Sequence, residues 1–235
     1  MKQLNQRQRT RLLLLAAAVI LLFITLAGIL LSEQAMETDF SRTNLAPSLS
    51  FLFGTDWMGR DMLARTLTGL SLSIRIGALT ACFSAIIALI LGCISAWNRQ
   101  ADAVLSWCVD LVMGIPHILL VMLISLAFGR GFVGVVAGVS LSHWPSLARV
   151  IRGEVLQLRQ APYLLAAEKL GVPPLQIARR HLLPHLLPQF LTGLILQFPH
   201  AILHEASVTF LGFGLSSEQP AIGVILSESM QYLTT

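Results

Sequence analysis

The chain has 235 residues, of which 55% are hydrophobic and only 12% are charged, and its mean hydropathy is +0.74. This composition excludes a soluble domain, which needs a polar surface, and predicts an integral membrane protein. The net charge is +4, but the basic residues occur in termini and loops rather than on one polar face. We therefore expect contact with a lipid bilayer and no nucleic-acid partner.

Five apolar segments are predicted to cross the membrane as helices, which makes the chain an all-α, polytopic helical bundle: 12–31, 76–97, 104–128, 132–148 and 186–203. The first has no charged residue over 20 positions, and at about 1.5 Å per residue it spans roughly 30 Å of hydrocarbon. No small-residue cleavage pattern follows Leu31, so we interpret it as an uncleaved helix rather than a signal peptide. The apolar stretch 221–226 is too short to cross and predicts a surface or re-entrant element.

Lysine and arginine residues predict the orientation of these spans. The first eleven residues contain four basic side chains and no acid: Lys2, Arg7, Arg9 and Arg11. Segment 149–184, between the fourth and fifth spans, contains six basic residues and two acidic ones. Cytoplasmic loops carry an excess of basic residues, so both segments are expected inside. Four spans between them agree with this assignment.

Segment 149–184 has the pattern of a helix, a sharp turn and a second helix. Apolar residues at helical spacing lead to Gly171, which suits a helix C-terminal turn, and Pro173 or Pro174 suits the first turn of the next helix. A rigid basic hairpin with Ala166 and Ala167 near its tip suits docking into a partner. A solvated amphipathic connector is an equal alternative.

This segment resembles the "EAA" loop of the membrane subunits of ATP-binding-cassette importers. The matching residues are Ala166-Ala167, then Gly171, then Leu183-Pro184, while Leu165 occupies the family's glutamate position. In that family the loop docks on a nucleotide-binding subunit. The resemblance thus implies an ATPase-coupling role for a set of eight residues: Leu165, Ala166, Ala167, Gly171, Arg179, Arg180, Leu183 and Pro184.

Two further stretches resemble the second permease subunit of dipeptide, oligopeptide and nickel importers: "GTDWMGRDMLARTLTGLSLSIRIG" at 54–77 and "SVTFLGFGL" at 207–215. The first also fits a helix capped by Thr55 or Asp56. The resemblance implies a type I importer permease fold. That family normally has a sixth membrane helix, so we expect the chain to be truncated.

The resemblance also implies an organisation and an assembly. Residues 1–70 would form an N-terminal membrane helix with an extracytoplasmic linker, and 71–235 the permease domain with its coupling loop at 149–184. The implied location is the bacterial inner membrane with a cytoplasmic N-terminus. The implied partners are a homologous permease subunit, two ATPase subunits that hold ATP and Mg, and an extracytoplasmic solute-binding protein.

The fifth predicted span carries a polar stripe along one helix face: Gln189, Gly193, Gln197, His200, His204 and Ser207. Polar side chains that face lipid are costly, so we predict that this stripe lines the translocation path. Asp110 and His143, in other spans, are assigned to the same path. For Asp110, a structural role near the interface is favoured over proton coupling.

His200 and His204 lie one helical turn apart and are predicted to contact a divalent metal transiently, because imidazole suits nickel, copper and zinc. The alternative is that each ring forms a hydrogen bond across a helix interface. No metal is assigned to His117, His181 or His185. The pair, "SLSHW" at 140–144 and Leu165 resemble the nickel and metal-chelate branch of the family. We therefore expect a nickel or metal-chelate cargo, with a dipeptide or oligopeptide as the alternative.

An ATPase is excluded within this sequence, because a phosphate-binding loop needs Gly-Lys-Ser/Thr and neither Lys2 nor Lys169 follows a glycine. We expect no cofactor in this chain and no enzymatic activity. An ion-coupled carrier or a membrane metalloenzyme is a distant alternative that depends on four residues: Asp110, His200, His204 and Glu205.

Overall fold

The computed structural model describes residues 5–232, so Lys2 lies outside the described range. Within it the chain is helical, with a single isolated antiparallel bridge between Thr55 and Asp61. This confirms the all-α prediction. The α-helices are α1 Gln6–Leu30, α2 Met62–Trp97, α3 Arg99–Gly114, α4 His117–Ala127, α5 Phe132–Arg159, α6 Pro162–Lys169, α7 Pro174–Ile177, α8 Leu183–Phe210 and α9 Ile222–Ser229.

Among the described residues, three helical stretches are long and apolar enough to cross a membrane: Gln6–Leu30, Met62–Ser95 and Pro174–Phe210. Counting the bent pair α3 and α4 as one span raises the number to four. The predicted fourth span, 132–148, is the first part of α5. That helix continues through Arg149 and Arg152 to Arg159, so its apolar part is short.

The prediction of one continuous helix over 104–128 is wrong. The chain bends by 100° between α3 and α4. Pro116 has no N–H to donate and restricts the preceding residue, so Ile115 adopts an extended conformation (φ −93°, ψ 135°). The bend makes His117 the first residue of a new helix.

The described residues form two compact units, one from 5–76 with 209–232 and one from 77–208. In the first unit, α1 and α2 approach closely at Gly28, where a Cβ atom would lie 2.3 Å from the carbonyl oxygen of Leu67. The Ser71 hydroxyl donates to the carbonyl of Thr25 at 2.9 Å. Small residues and hydroxyls therefore hold this helix pair together.

Helix α2 begins at Met62, several residues after the N-caps predicted for it, Thr55 or Asp56. The Asp61 carboxylate accepts from the backbone N–H of Leu63 at 2.8 Å and so caps the helix. Thr55 and Asp56 are instead part of the preceding loop, where Asp56 accepts from the N–H groups of Met58 and Arg60, each at 2.9 Å. The predicted N-cap is thus corrected to Asp61.

The first unit also buries a charge network, formed by Asp56, Arg60, Arg65 and Glu228. The Arg65 side chain is 2% exposed and lies 2.7 Å from Glu228 and 3.3 Å from Asp56. Arg60 pairs with Asp56 at 2.7 Å and lies 3.6 Å from Glu228. Each buried guanidinium in this network therefore has two carboxylates nearby.

The second unit has an apolar core built from the central part of α5 and its neighbours. Ile151 and Val155 are fully buried in it, together with Leu186 of α8. A Cβ atom at Gly92 of α2 would lie 2.9 Å from the Ile151 side chain, so α2 and α5 are in close contact there. Two ion pairs join α3 to α5, Arg152 with Asp102 and Arg149 with Asp110.

Candidate functional site

Three histidines from three helices of the second unit meet beside a cavity. His117 opens α4, His143 lies in the middle of α5, and His204 lies in the second half of α8. The ring centroids are 4.4 Å apart for His117 and His143, 4.3 Å for His117 and His204, and 5.0 Å for His143 and His204. We call these three residues the histidine cluster.

The backbone of α5 orients His143. Its Nδ1 lies 2.8 Å from the carbonyl oxygen of Val139, one turn earlier. A carbonyl can only accept, so Nδ1 carries the ring proton and Nε2 presents its lone pair. The side chain of Gln197 donates to the His143 carbonyl at 3.3 Å, which joins α8 to α5 at this level.

The cavity has a volume of about 400 Å³. Its wall contains the histidine cluster together with His200, Gln197 and Met113. Five of the residues predicted for the translocation path therefore line one space: His143, Gly193, Gln197, His200 and His204.

The other predicted path residues lie elsewhere. Gln189 donates to Glu154 at 3.1 Å, and the Ser207 hydroxyl bonds back to the carbonyl of Leu203 at 2.7 Å. Asp110 is exposed and lies 2.5 Å from Arg149. None of these three side chains lines the cavity, and the pairing of Asp110 agrees with the structural alternative.

The predicted metal pair is rearranged in the structure. His204 groups with His117 and His143, whereas His200 lies on the cavity wall outside this group of three potential ligands. The spacing of His200 and His204 correctly places them along one side of α8, but the nearest imidazoles come from other helices. His117 was not predicted as part of the site. The usable signal was Pro116, which moves the residue after it into a new helix.

The predicted turn of the coupling segment is confirmed. Gly171 has φ +74° and ends α6, with the N–H of Val172 donating to the carbonyl of Ala167 at 3.1 Å. Of the two prolines predicted for the first turn of the next helix, Pro174 is the first residue of α7 and Pro173 is its N-cap. A π-helical turn, Ala178–Leu182, then leads into α8, which contains Leu183 and Pro184.

Burial divides this hairpin into two faces. Leu164 and Ile177 are each 2% exposed and belong to the apolar core. On the other face Leu165, Leu170 and Leu175 are 44%, 83% and 80% exposed. Of the eight residues assigned to coupling, all are exposed except Ala167, which is half-buried.

Comparison with known proteins identifies the family. Residues 86–235 match the family described as binding-protein-dependent transport system inner membrane component. A Brucella suis protein provisionally named a peptide transport system permease protein is 34% identical over 231 residues, which cover 98% of this chain and 78% of the relative. The oligopeptide transport system permease protein OppC of Bacillus subtilis is 30% identical, covering 97% and 76%. The dipeptide transport system permease protein DppC of the same organism is 28% identical, covering 96% and 72%.

These matches extend along nearly the whole chain and agree with its apolar helices. The relatives are permease subunits by name, so the chain is a transport subunit and not an ATPase. It is a multi-pass inner membrane protein that belongs to the binding-protein-dependent family of ATP-binding-cassette importer permeases, within the dipeptide and oligopeptide group.

Proposed function

We propose that this chain forms half of the translocation pathway of an ATP-driven peptide importer. The observation that carries the proposal is its similarity, over nearly its full length, to permeases named for peptide transport. The nickel cargo expected from the histidine pair has no counterpart in those names. A dipeptide or oligopeptide fits the relatives better.

The proposed assembly contains a homologous permease subunit, two ATPase subunits that bind ATP and Mg, and a solute-binding protein that delivers the cargo from outside. The N-terminus lies in the cytoplasm. The hairpin of α6 and α7 docks on an ATPase subunit through its exposed leucines and through the basic residues Arg179 and Arg180. Its opposite face is buried in the core, so movement of the ATPase subunit is passed directly to the membrane helices.

A metal-chelate cargo is the second candidate function, because four imidazoles line the cavity and three of them are grouped as potential metal ligands. The same transport experiment distinguishes the two cargoes. Cells that lack this subunit are compared with cells that regain it, for uptake of a labelled dipeptide, a labelled oligopeptide, nickel ion, and nickel with histidine as chelator. Restored peptide uptake alone supports the proposal. Restored nickel uptake without peptide uptake overturns it and selects the second candidate.

A further inference from the structure

We propose that His117, His143 and His204 form a binding site for one divalent transition-metal ion. The inference does not depend on which cargo the importer carries, because it concerns a site within the chain itself. Three imidazoles favour zinc, nickel, cobalt or copper over magnesium or calcium, which prefer oxygen ligands.

The geometry is close to that of a three-histidine metal centre. One ligand nitrogen from each residue lies within 4.8 Å of the other two. A tetrahedral ion with bonds of about 2.0–2.1 Å needs nitrogens about 3.4 Å apart, so modest side-chain rotations are enough to close the site. The rings are inclined to one another by 44° to 87° rather than stacked, which allows the lone pairs of three rings to converge.

Unsatisfied nitrogens point to a missing ligand. Nδ1 of His117 and Nε2 of His143 are buried, and neither has a hydrogen-bond partner among the residues that the structure describes. His143 holds its proton on Nδ1 through the Val139 carbonyl, which is the arrangement that metal-ligating histidines use to fix the tautomer. Buried polar atoms are normally paired, so two unpaired ring nitrogens in one cluster are the expected mark of a site that binds a ligand.

The site leaves room for a fourth ligand. The cluster lies on the wall of the cavity, where the buried Oε1 of Gln197 also has no hydrogen-bond partner in the described part of the chain. Water or a group from a transported molecule has space to complete the coordination there. Three protein ligands with an open fourth position characterise metal sites that exchange a ligand, in contrast to closed structural sites.

The test is metal binding by the assembled importer, purified without a histidine tag and placed in lipid nanodiscs. Cobalt is the probe, because its visible absorption reports tetrahedral coordination, and zinc is added in competition. We expect one cobalt per copy of this chain, displaced by zinc, and at least tenfold weaker binding in each of H117Q, H143Q and H204Q. His185→Gln is the matched control, since His185 is exposed and outside the cluster, and it should bind normally.

Two further variants distinguish loss of the metal site from misfolding and from an effect of His200. His117→Cys keeps a ligand, so it should retain cobalt and add a sulfur-to-cobalt charge-transfer band, which a misfolded protein would not show. His200→Gln separates the cluster from the pair on α8. The proposal is overturned if the importer binds no cobalt, if binding survives all three cluster variants, or if His200→Gln abolishes binding while H117Q does not.

Discussion

The chain contains two polar clusters of opposite character. In the first unit, Arg65 and its neighbours balance positive with negative charge at separations of 2.7–3.6 Å. In the second unit, the histidine cluster consists of three imidazole rings. One buried nitrogen of His117 and one of His143 lack hydrogen-bond partners among the described residues. Every charge of the first cluster has a partner of opposite charge within 3.6 Å, although Nη2 of Arg60 and Nε of Arg65 make no hydrogen bond among the described residues. The unpartnered nitrogens of the second cluster belong to imidazole rings, which can bind a metal ion, whereas a guanidinium offers no lone pair to one.

The largest effect should come from breaking the charge network. Replacing Arg65 with Met removes the nearest partner of Glu228 and the second partner of Asp56, so we expect the free energy of unfolding to fall by about 3–5 kcal/mol. Thermal unfolding of the detergent-solubilised protein measures it. Arg42→Met is the control, because Arg42 is exposed and solvent screens its pair with Asp39, so its loss should be much smaller. Equal losses in the two variants would contradict a structural role for the network.

The double variant R65M with E228M sharpens this prediction. If the loss arises from an uncompensated carboxylate rather than from lost packing, removing the carboxylate as well should restore part of the stability. No recovery would mean that packing of the Arg65 stem dominates. The same unfolding measurement decides between them.

The second cluster should respond to a ligand instead. Zinc at about one hundred times its Kd should stabilise the parent protein by about 2.7 kcal/mol, and H143Q should show none of this gain. Without zinc, H143Q should differ from the parent by only about 1 kcal/mol, because a single hydrogen bond is lost. A large metal-independent loss would make the histidine cluster structural, like the network of the first unit.

Two glycines provide a comparison that involves no polar partners. Gly171 and Gly153 both have open space where a Cβ would lie, but only Gly171 has positive φ. Gly171→Ala should cost about 1–2 kcal/mol in the hairpin, whereas Gly153→Ala in α5 should gain about 0.5–1 kcal/mol. We expect G171A to lower peptide uptake at normal expression while G153A does not. Equal uptake by the two variants would contradict the coupling role.

The smallest effect is expected at the ion pair between α3 and α5. Arg152 and Asp102 are each about one third exposed, so solvent screens their attraction. Asp102→Asn should lower the free energy of unfolding by about 0.2–1 kcal/mol, and less in high salt. A loss comparable with that of Arg65→Met would remove the contrast between buried and exposed pairs.

The sequence predicts best those features that depend on neighbours along the chain. Gly171 and Pro174 determine the hairpin turn through their own backbone preferences, so the turn was predictable, with the start of the second helix narrowed to Pro173 or Pro174. The histidine cluster depends on residues as far apart as His117 and His204, brought together by a 100° bend and by packing of three helices. Pro116 was a signal for a break, but the apolar run 104–128 was interpreted as one continuous helix. The cap of α2 moved to Asp61 because a bridge between Thr55 and Asp61 forms ahead of the helix.

The π-helical turn at Ala178–Leu182 places one extra residue in the helix just before α8. A π turn contains one residue more than an α turn, so its conversion to α-helix would advance the register of everything before it by one position. One position corresponds to a rotation of about 100° and a rise of about 1.5 Å. The hairpin would then rotate about the axis of α8, while the cavity-lining residues near the other end of that helix stayed in position.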